Sequence, residues 1–584
     1  MPSAPKSPSQ SPGTDALLYA LIGAGLTLAV FGSLAWLGGN TANYLTDSGP
    51  WSNPFTPVTA ALHPNHLYPH LASLPLLIST RILPALVSIA LAAMGLWLWS
   101  RRRRTTDGLA GARDLAPLLP KEITTKARDL RPSLASAKEL RPDDTGILLG
   151  NLANGTEVRS CWEDVCVAIM APRSGKTTSL AVPAILRAPG PVLLTSNKAA
   201  RDAYTATLDA RSAVGRVWTM DPQGIAHTPQ GMWWNILADA KDLPGARRLA
   251  GHFVAAAVDE SSQGDFWSTA AQNTLCALFL SAGVDKRPIT DVLKWLAVPS
   301  DRTPIDILRD HRMTAIADQL QGTVSGAVET RDGIYETARQ YAACLLDPKI
   351  SRWVTPNADL PEFRPEEFVT NRDTLYLLSK DGGGSAGALI AAAADSVMRT
   401  ATIQAERAGG RLDPPLLAIL DEAANVCKIS DLPDLYSHLG SRGVIPITIL
   451  QSYRQGQKVW GEAGMDAMWS AATIKLVGSG IDDADFADKL SRLVGEHDVE
   501  TISHSTSESG RSTSTSMRQE RILPPDKIRA LRKGTALLLA TGLRPALLDL
   551  RPWYKEPGAS AIGAASSKQT ALITERAMAA GEAA

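Results

Sequence analysis

The chain has 584 residues, with 59 Lys and Arg against 59 Asp and Glu, so its formal net charge is zero. Hydrophobic residues make up 45% and charged residues 20%, which excludes wholesale disorder and a collagen-like repeat. A balanced charge also excludes polycationic binding of nucleic acid by the whole surface and leaves it to a local patch.

Residues 1–15 read as a tail before the first apolar run. Residues 16–39, ALLYALIGAGLTLAVFGSLAWLGG, carry no charge, and as a helix they reach roughly 36 Å, enough for a bilayer core. A second uncharged run, ILPALVSIALAAMGLWLWS at 82–100, ends in Trp97 and Trp99 and is followed at once by RRRR at 101–104. Tryptophans suit the membrane interface, and an arginine cluster marks the cytoplasmic side. Two membrane spans follow, with 40–81 as an extracytoplasmic loop and the remaining chain in the cytoplasm. A signal peptide fits less well, since the apolar run is long and Lys6 is its single preceding basic residue.

Residues 101–150, rich in Arg, Lys, Asp and Pro, read as a basic linker. All five cysteines lie after residue 160, which fits a reducing compartment for the main body. Cys161 and Cys166 have no second Cys or His pair to complete a zinc site. They read as small core residues flanking a turn.

From residue 165 short apolar runs alternate with polar turns. VCVAIM (165–170) has strand character, APRSGKTTS (171–179) follows, and LAVPAILRA can form a helix. Strand, Gly-Lys-Thr loop and helix are the parts of a phosphate-binding loop. Backbone N–H groups around Gly175, Lys176, Thr177 and Thr178 would surround phosphates. Lys176 would reach the β- and γ-phosphates of ATP, and Thr177 would place its hydroxyl on Mg²⁺. Met170 stands where the eight-residue pattern wants glycine, so crowding is expected where the loop turns. Nucleotide binding is nevertheless expected to survive.

PPLLAILDEAANV (414–426) supplies the second half of such a site. Leu416–Leu420 reads as a buried strand ending in Asp421 and Glu422. Asp421 would hold Mg²⁺ through water, and Glu422 would polarise the attacking water. Further strand-like runs lie at 191–196, 216–221, 374–379 and 444–452. Together they imply a parallel α/β sheet with its ligands beyond the strand C-terminal ends. Between them, 240–365 lacks strand signals. Helical spacing at 265–283, 291–298 and 322–346 predicts an all-α insertion. Phe266 and Trp267 are expected to pack in its core. The nucleotide-binding domain is thus expected in two parts, 151–239 and 366–555. The Ser/Thr-rich segment 501–517 reads as a mobile loop and 556–584 as a flexible tail or a short helix.

Two N-terminal spans, APRSGKTT, a helical insertion, DEAAN and SRGVIPITILQSYRQ (441–455) together resemble the type IV secretion coupling proteins, the TraG/TraD-like ATPases of conjugation. The resemblance runs from about 16 to 555 and includes Arg173 and Ser174 in the phosphate loop. It departs at Ala423, where the family usually has phenylalanine. The fold it implies is a RecA-like P-loop ATPase with an inserted all-helical domain, anchored by two transmembrane helices. It implies a homo-hexamer in the inner (plasma) membrane, multi-pass, with the ATPase domain cytoplasmic. Gln451 would sense the γ-phosphate, and Arg442 would act as an arginine finger in the neighbouring subunit. The implied partners are single-stranded DNA carrying a relaxase, the relaxosome proteins and the channel proteins of a type IV secretion system. Protein effectors as cargo, an FtsK/HerA-like pump for double-stranded DNA, and a membrane scaffold with a decayed nucleotide site remain alternatives.

Overall fold

The computed structural model describes residues 13–51, 55–103, 108–257, 265–380, 386–507 and 510–582. Lys6, Arg104 and the glycine-rich turn after Lys380 lie outside the described residues. The chain divides into two compact units, 1–107 and 108–584.

In the first unit one helix runs from Gly13 to Leu45 and contains the first apolar run. Short helices follow at Pro57–Leu62 and Pro64–Leu67. Then Ser73–Leu77, a π-turn at Ile78–Ile82 and Leu83–Arg103 succeed one another directly. The 40–81 segment is therefore largely helical rather than an open loop. Gly38 lets the first helix approach the carbonyl of Ser79, where a Cβ would sit 2.3 Å from that oxygen. Tyr68 donates to the Trp36 carbonyl at 2.9 Å and accepts from Asn40 Nδ2 at 3.0 Å. Among the described residues one helix, Ser73–Gly95, is long and apolar enough to cross a membrane, with a mean hydropathy of 2.0. It begins nine residues before the expected second span at 82.

The second unit is built on one sheet of 11 strands. In chain order these are β1 (Ile147–Asn151), β2 (Glu157–Ser160), β3 (Cys166–Ile169), β4 (Val192–Ser196) and β5 (Val217–Met220). A separate pair, β6 (Trp233–Trp234) and β7 (Glu362–Phe363), comes next. The sheet resumes with β8 (Thr374–Leu378), β9 (Leu416–Asp421), β10 (Val444–Leu450) and β11 (Ile474–Val477). A hairpin of β12 (Glu496–Ser507) and β13 (Gly510–Arg521) stands apart, and β14 (Thr535–Ala540) and β15 (Ala546–Asp549) complete the sheet.

The sheet order is β2-β1-β15-β14-β11-β3-β10-β9-β4-β8-β5. From β11 to β5 all neighbours are parallel, whereas β14, β15, β1 and β2 add antiparallel strands at the other end. Strands buried on both faces need near-continuous apolar sequence, and every residue of β9 and β10 is buried. The pleat sends Val165, Val167 and Ile169 into the core on one side and Cys166, Ala168 and Met170 into the core on the other. Cys161 and Cys166 are buried on either side of a turn, as expected.

Between β6 and β7 the described residues form helices and turns without strands. This helical segment runs from the helix Leu243–Ala257 to Pro348–Ser351, and the parallel β6–β7 pair closes its neck. The helix expected at 322–346 is broken at Gly326 into Thr314–Ser325 and Val328–Tyr341. Phe266 and Trp267 do not enter the core: they are 64% and 44% exposed at the start of helix Phe266–Val284, with Trp267 lying over Gly333. The insertion is tied to the sheet domain by buried Asp395, which accepts from Arg399 at 2.9 Å and lies 3.2 Å from His252 Nε2.

Three boundaries differ from expectation. From Gly108 on, the linker is part of the second unit: Ala110 N–H donates to the Pro545 carbonyl, helix Pro120–Leu130 buries Ile123 and Ala127, and Arg131 pairs with Asp413 at 3.1 Å. The Ser/Thr-rich segment belongs to the β12–β13 hairpin, paired in register from Glu496↔Arg521 to Ser507↔Gly510. The tail after 555 is a helix, Ala559–Glu582, lying along helix Ala203–Ser212.

Candidate nucleotide site

The site forms at the C-terminal ends of β3, β9 and β10, where an open parallel sheet places its ligands. β3 delivers the chain to Met170, which is fully buried and donates its N–H to the Leu450 carbonyl at 2.9 Å. The loop then turns through two left-handed residues, Arg173 at φ 63° and Gly175 at φ 101°. Position 170 is not among them, so the turn does not require glycine there. The methionine fits because Gly478 faces it: a Cβ on Gly478 would lie 3.0 Å from Met170 Cγ and Cε. The expected crowding is thus absorbed by a second glycine across the sheet.

After the loop, Thr177–Ala181 form a π-turn that opens helix Val182–Arg187. Ser179 N–H donates to the Gly175 carbonyl at 2.8 Å. Lys176 is buried and its Nζ lies 3.1 Å from Asp421 Oδ1 while also donating to Glu422 Oε1. Burial alone would lower the Lys176 pKa, but the two facing carboxylates outweigh it and hold the ammonium above its ordinary value. Burial pushes the Asp421 carboxyl up to about 6; Lys176 opposes this, and the nearby carboxylates of Asp202 and Glu422 add to it. The two upward shifts have different origins: the facing carboxylates raise Lys176, whereas burial is the main cause for Asp421.

Glu422 has left-handed backbone, φ 55° and ψ 37°. A non-glycine residue held there is strained, and such strain collects at functional sites. Its Oε2 accepts from Gln451 Nε2 at 2.6 Å and from Asn425 Nδ2 at 3.2 Å. The structure therefore brings Lys176, Asp421, Glu422 and Gln451 into one cluster, with Arg173, Ser174, Gly175, Thr177 and Thr178 lining the same cleft of about 860 Å³. That volume is within the range of small-molecule sites. Ser174 Oγ is buried there without a hydrogen-bond partner, so the cradle has a polar atom to spare for a ligand oxygen. Among the described residues no group of three or more His, Cys, Asp or Glu has metal-cage geometry. A cation would rest on Thr177 and Asp421 together with ligand oxygens, as Mg²⁺ does in phosphate sites.

Arg442 is not in this cleft. It ends the turn before β10, so the seven residues of that strand separate it from the Gln451 end, a span of about 23 Å. Its guanidinium pairs with Glu406. Asp202 and Lys198 line the cleft as well, and Asn425 reaches it through Glu422. Asn425 stands inside the DEAAN motif. Asp202 caps helix Ala203–Ser212 through the Ala203 N–H at 2.8 Å, and burial raises its pKa. Lys198 lies just past β4, where a strand end in an α/β sheet is itself the signal.

Residues 415–533 match the family model described as the TraM recognition site of TraD and TraG. No curated protein sequence matches the chain. Among solved structures, the bacterial conjugative coupling protein TrwBdeltaN70 in its unbound monoclinic form superposes with a TM-score of 0.51 at 16% identity, covering 72% of this chain and 92% of that one. Its trigonal form in complex with sulphate gives a TM-score of 0.50 at 17% identity, over 72% and 93%. The fold and the loop define the class as an α/β protein whose parallel sheet carries a Gly-Lys-Thr loop at its strand ends. Within that class, the resemblance to the type IV secretion coupling proteins holds on two grounds, the TraD/TraG segment at 415–533 and the TrwB-like fold over most of the second unit.

Proposed function

We propose that this chain is an inner-membrane coupling ATPase that uses Mg-ATP to recruit relaxase-bound single-stranded DNA and drive it into a type IV secretion channel. The observation that carries the reading is the buried cluster of Lys176, Asp421, Glu422 and Gln451 at the mouth of the phosphate loop. In this reading Lys176 leaves its two carboxylates for the β- and γ-phosphates as ATP enters. That exchange frees Glu422 Oε1 to accept a proton from the attacking water, while Gln451 and Asn425 hold the other oxygen. Thr177 and Asp421 hold Mg²⁺, whose charge offsets that on the phosphate oxygens. Gln451 reports the γ-phosphate to β10.

Arg442 takes the role of a finger in the adjacent subunit of a homo-hexamer. Its place at the far end of β10 from its own cleft supports a role in trans rather than in cis. The apolar runs at 16–39 and 82–100 anchor the protein as two membrane spans, with the nucleotide domain in the cytoplasm. Relaxosome and channel proteins are the partners in this reading, and the TraM-recognition segment supports the first.

The test is ATP turnover by the full-length protein in detergent, with and without single-stranded DNA. Turnover raised several-fold by single-stranded DNA, and abolished by Lys176→Ala, is the expected result. The stimulation should weaken steeply with salt, because phosphate contacts dominate such binding. Turnover indifferent to DNA at every salt concentration would contradict the DNA-pumping role.

A further inference from the structure

The cleft is larger than the phosphate loop needs. It continues from Thr178 to the turn Trp553–Lys555, which follows β15, and Trp553, Tyr554 and Lys555 line it together with Ser566. This turn lies beside the segment Thr177–Ala181 that follows Lys176.

Two aromatic rings stand there. Trp553 is half-buried and packs beside Gly563 of helix Ala559–Glu582. Tyr554 is 55% exposed. The rings meet edge to face, with centroids 5.9 Å apart and an interplanar angle of 79°. A large ring left this exposed at the rim of a cleft lined by cationic side chains has a face to offer, whereas a core tyrosine would be buried.

The turn is fixed to the element that carries the phosphate loop. Glu556 Oε2 accepts from Arg187 Nη2 at 2.7 Å, and Arg187 ends the helix that begins at the loop. The same oxygen accepts from Arg551 Nη2 at 2.9 Å. On the other side Ser566 lies 3.1 Å from Thr205 Oγ1. The aromatic turn therefore keeps its distance from Lys176 without a ligand, and a stacking surface held in advance costs little ordering on binding.

We infer that Trp553 and Tyr554 form the nucleobase subsite, in which the Tyr554 ring stacks on the base of the nucleotide whose phosphates lie on Lys176. The inference rests on the nucleotide reading of the phosphate loop and extends it. The ligand class is a nucleoside triphosphate rather than a bare polyphosphate. Stacking tolerates any base, because every base has a π-face. Discrimination is then between nucleotide and polyphosphate more than between adenine and guanine.

The experiment is a binding titration of the full-length protein with Mg-ATP and, separately, with Mg-tripolyphosphate. Wild type should bind ATP the tighter of the two. Tyr554→Ala should weaken ATP by about tenfold and leave tripolyphosphate unchanged, and Tyr554→Phe should restore ATP affinity. Trp553→Ala serves as a second probe of the same surface. Lys176→Ala should weaken both ligands alike. Equal ATP affinity in wild type, Tyr554→Ala and Trp553→Ala would overturn the subsite while leaving the nucleotide reading intact. A folded wild type that bound neither ligand would overturn both.

Discussion

Position 170 places a methionine where the phosphate-loop pattern calls for glycine, and the structure shows why it is tolerated. The left-handed backbone sits at Arg173 and Gly175, and the side chain fills space that Gly478 leaves open. Met170 is thus a core residue. Met170→Ala should destabilise the fold by about 2–5 kcal/mol without raising nucleotide affinity, which paired chemical-denaturation and ATP-titration curves would show. Glu422→Gln should reduce the turnover number by about 100-fold or more while nucleotide still binds, and retained turnover in that variant would remove Glu422 as the base. Asp421 gives a pH dependence. Its folded value of about 6 stands above the ordinary 3.8, so the folded state takes up the proton more readily. Its contribution to stability is complete below about pH 4 and is lost as pH rises through 6. Binding runs the other way, because Mg²⁺ needs the ionised carboxylate: Mg-ATP affinity should fall as pH drops below about 6. Affinity that stayed flat between pH 5 and 7.5 would speak against Asp421 as the metal residue.

The elements divide by how their sequence announces them. β3, β4, β5, β8, β9 and β10 are apolar runs ending in polar turns, and all were legible; Lys176, Asp421 and Glu422 meet at their ends. β12 and β13 were not. Their Ser and Thr residues are polar on both sides of the pleat, so no period-2 contrast in hydrophobicity marks them. The length and docking of helix Ala559–Glu582 were hidden because its alanines give it no apolar stripe, although Ile573 is buried and Gln569 donates to Asp209 at 2.6 Å. Asp202 and Asn425 needed the fold to bring their loops to the cleft. The two late elements differ in what they support. The hairpin pairs with itself alone in a two-stranded sheet, so replacing 499–518 by a short turn should leave the melting temperature within about 2 °C of wild type. Removing 559–584 withdraws Ser566 and the support behind Trp553. That truncation should lower both the melting temperature and ATP affinity, and calorimetry with nucleotide titration would check the pair.

At the scale of the whole molecule, the sequence carries a Gly-Lys-Thr loop and an acid pair on a sheet whose parallel strands, β11 apart, were readable one by one. What it left open was the packing around that sheet: the ordered 108–150 segment, β11, the strands β1 and β2 at the antiparallel end, and the helix beside the cleft. These are settled by long-range contacts such as Arg131 with Asp413 and Glu556 with Arg187, which no local pattern encodes. Everything proposed for this protein depends on ATP hydrolysis in the cleft at the ends of β3 and β9. The direct measurement is Mg-dependent phosphate release by the full-length protein beside Lys176→Ala and Glu422→Gln at equal folded concentration. Release by the wild type that needs Mg²⁺ and is lost in both variants is the expected result. A folded wild type that releases no phosphate, or variants that release it at the wild-type rate, would contradict it.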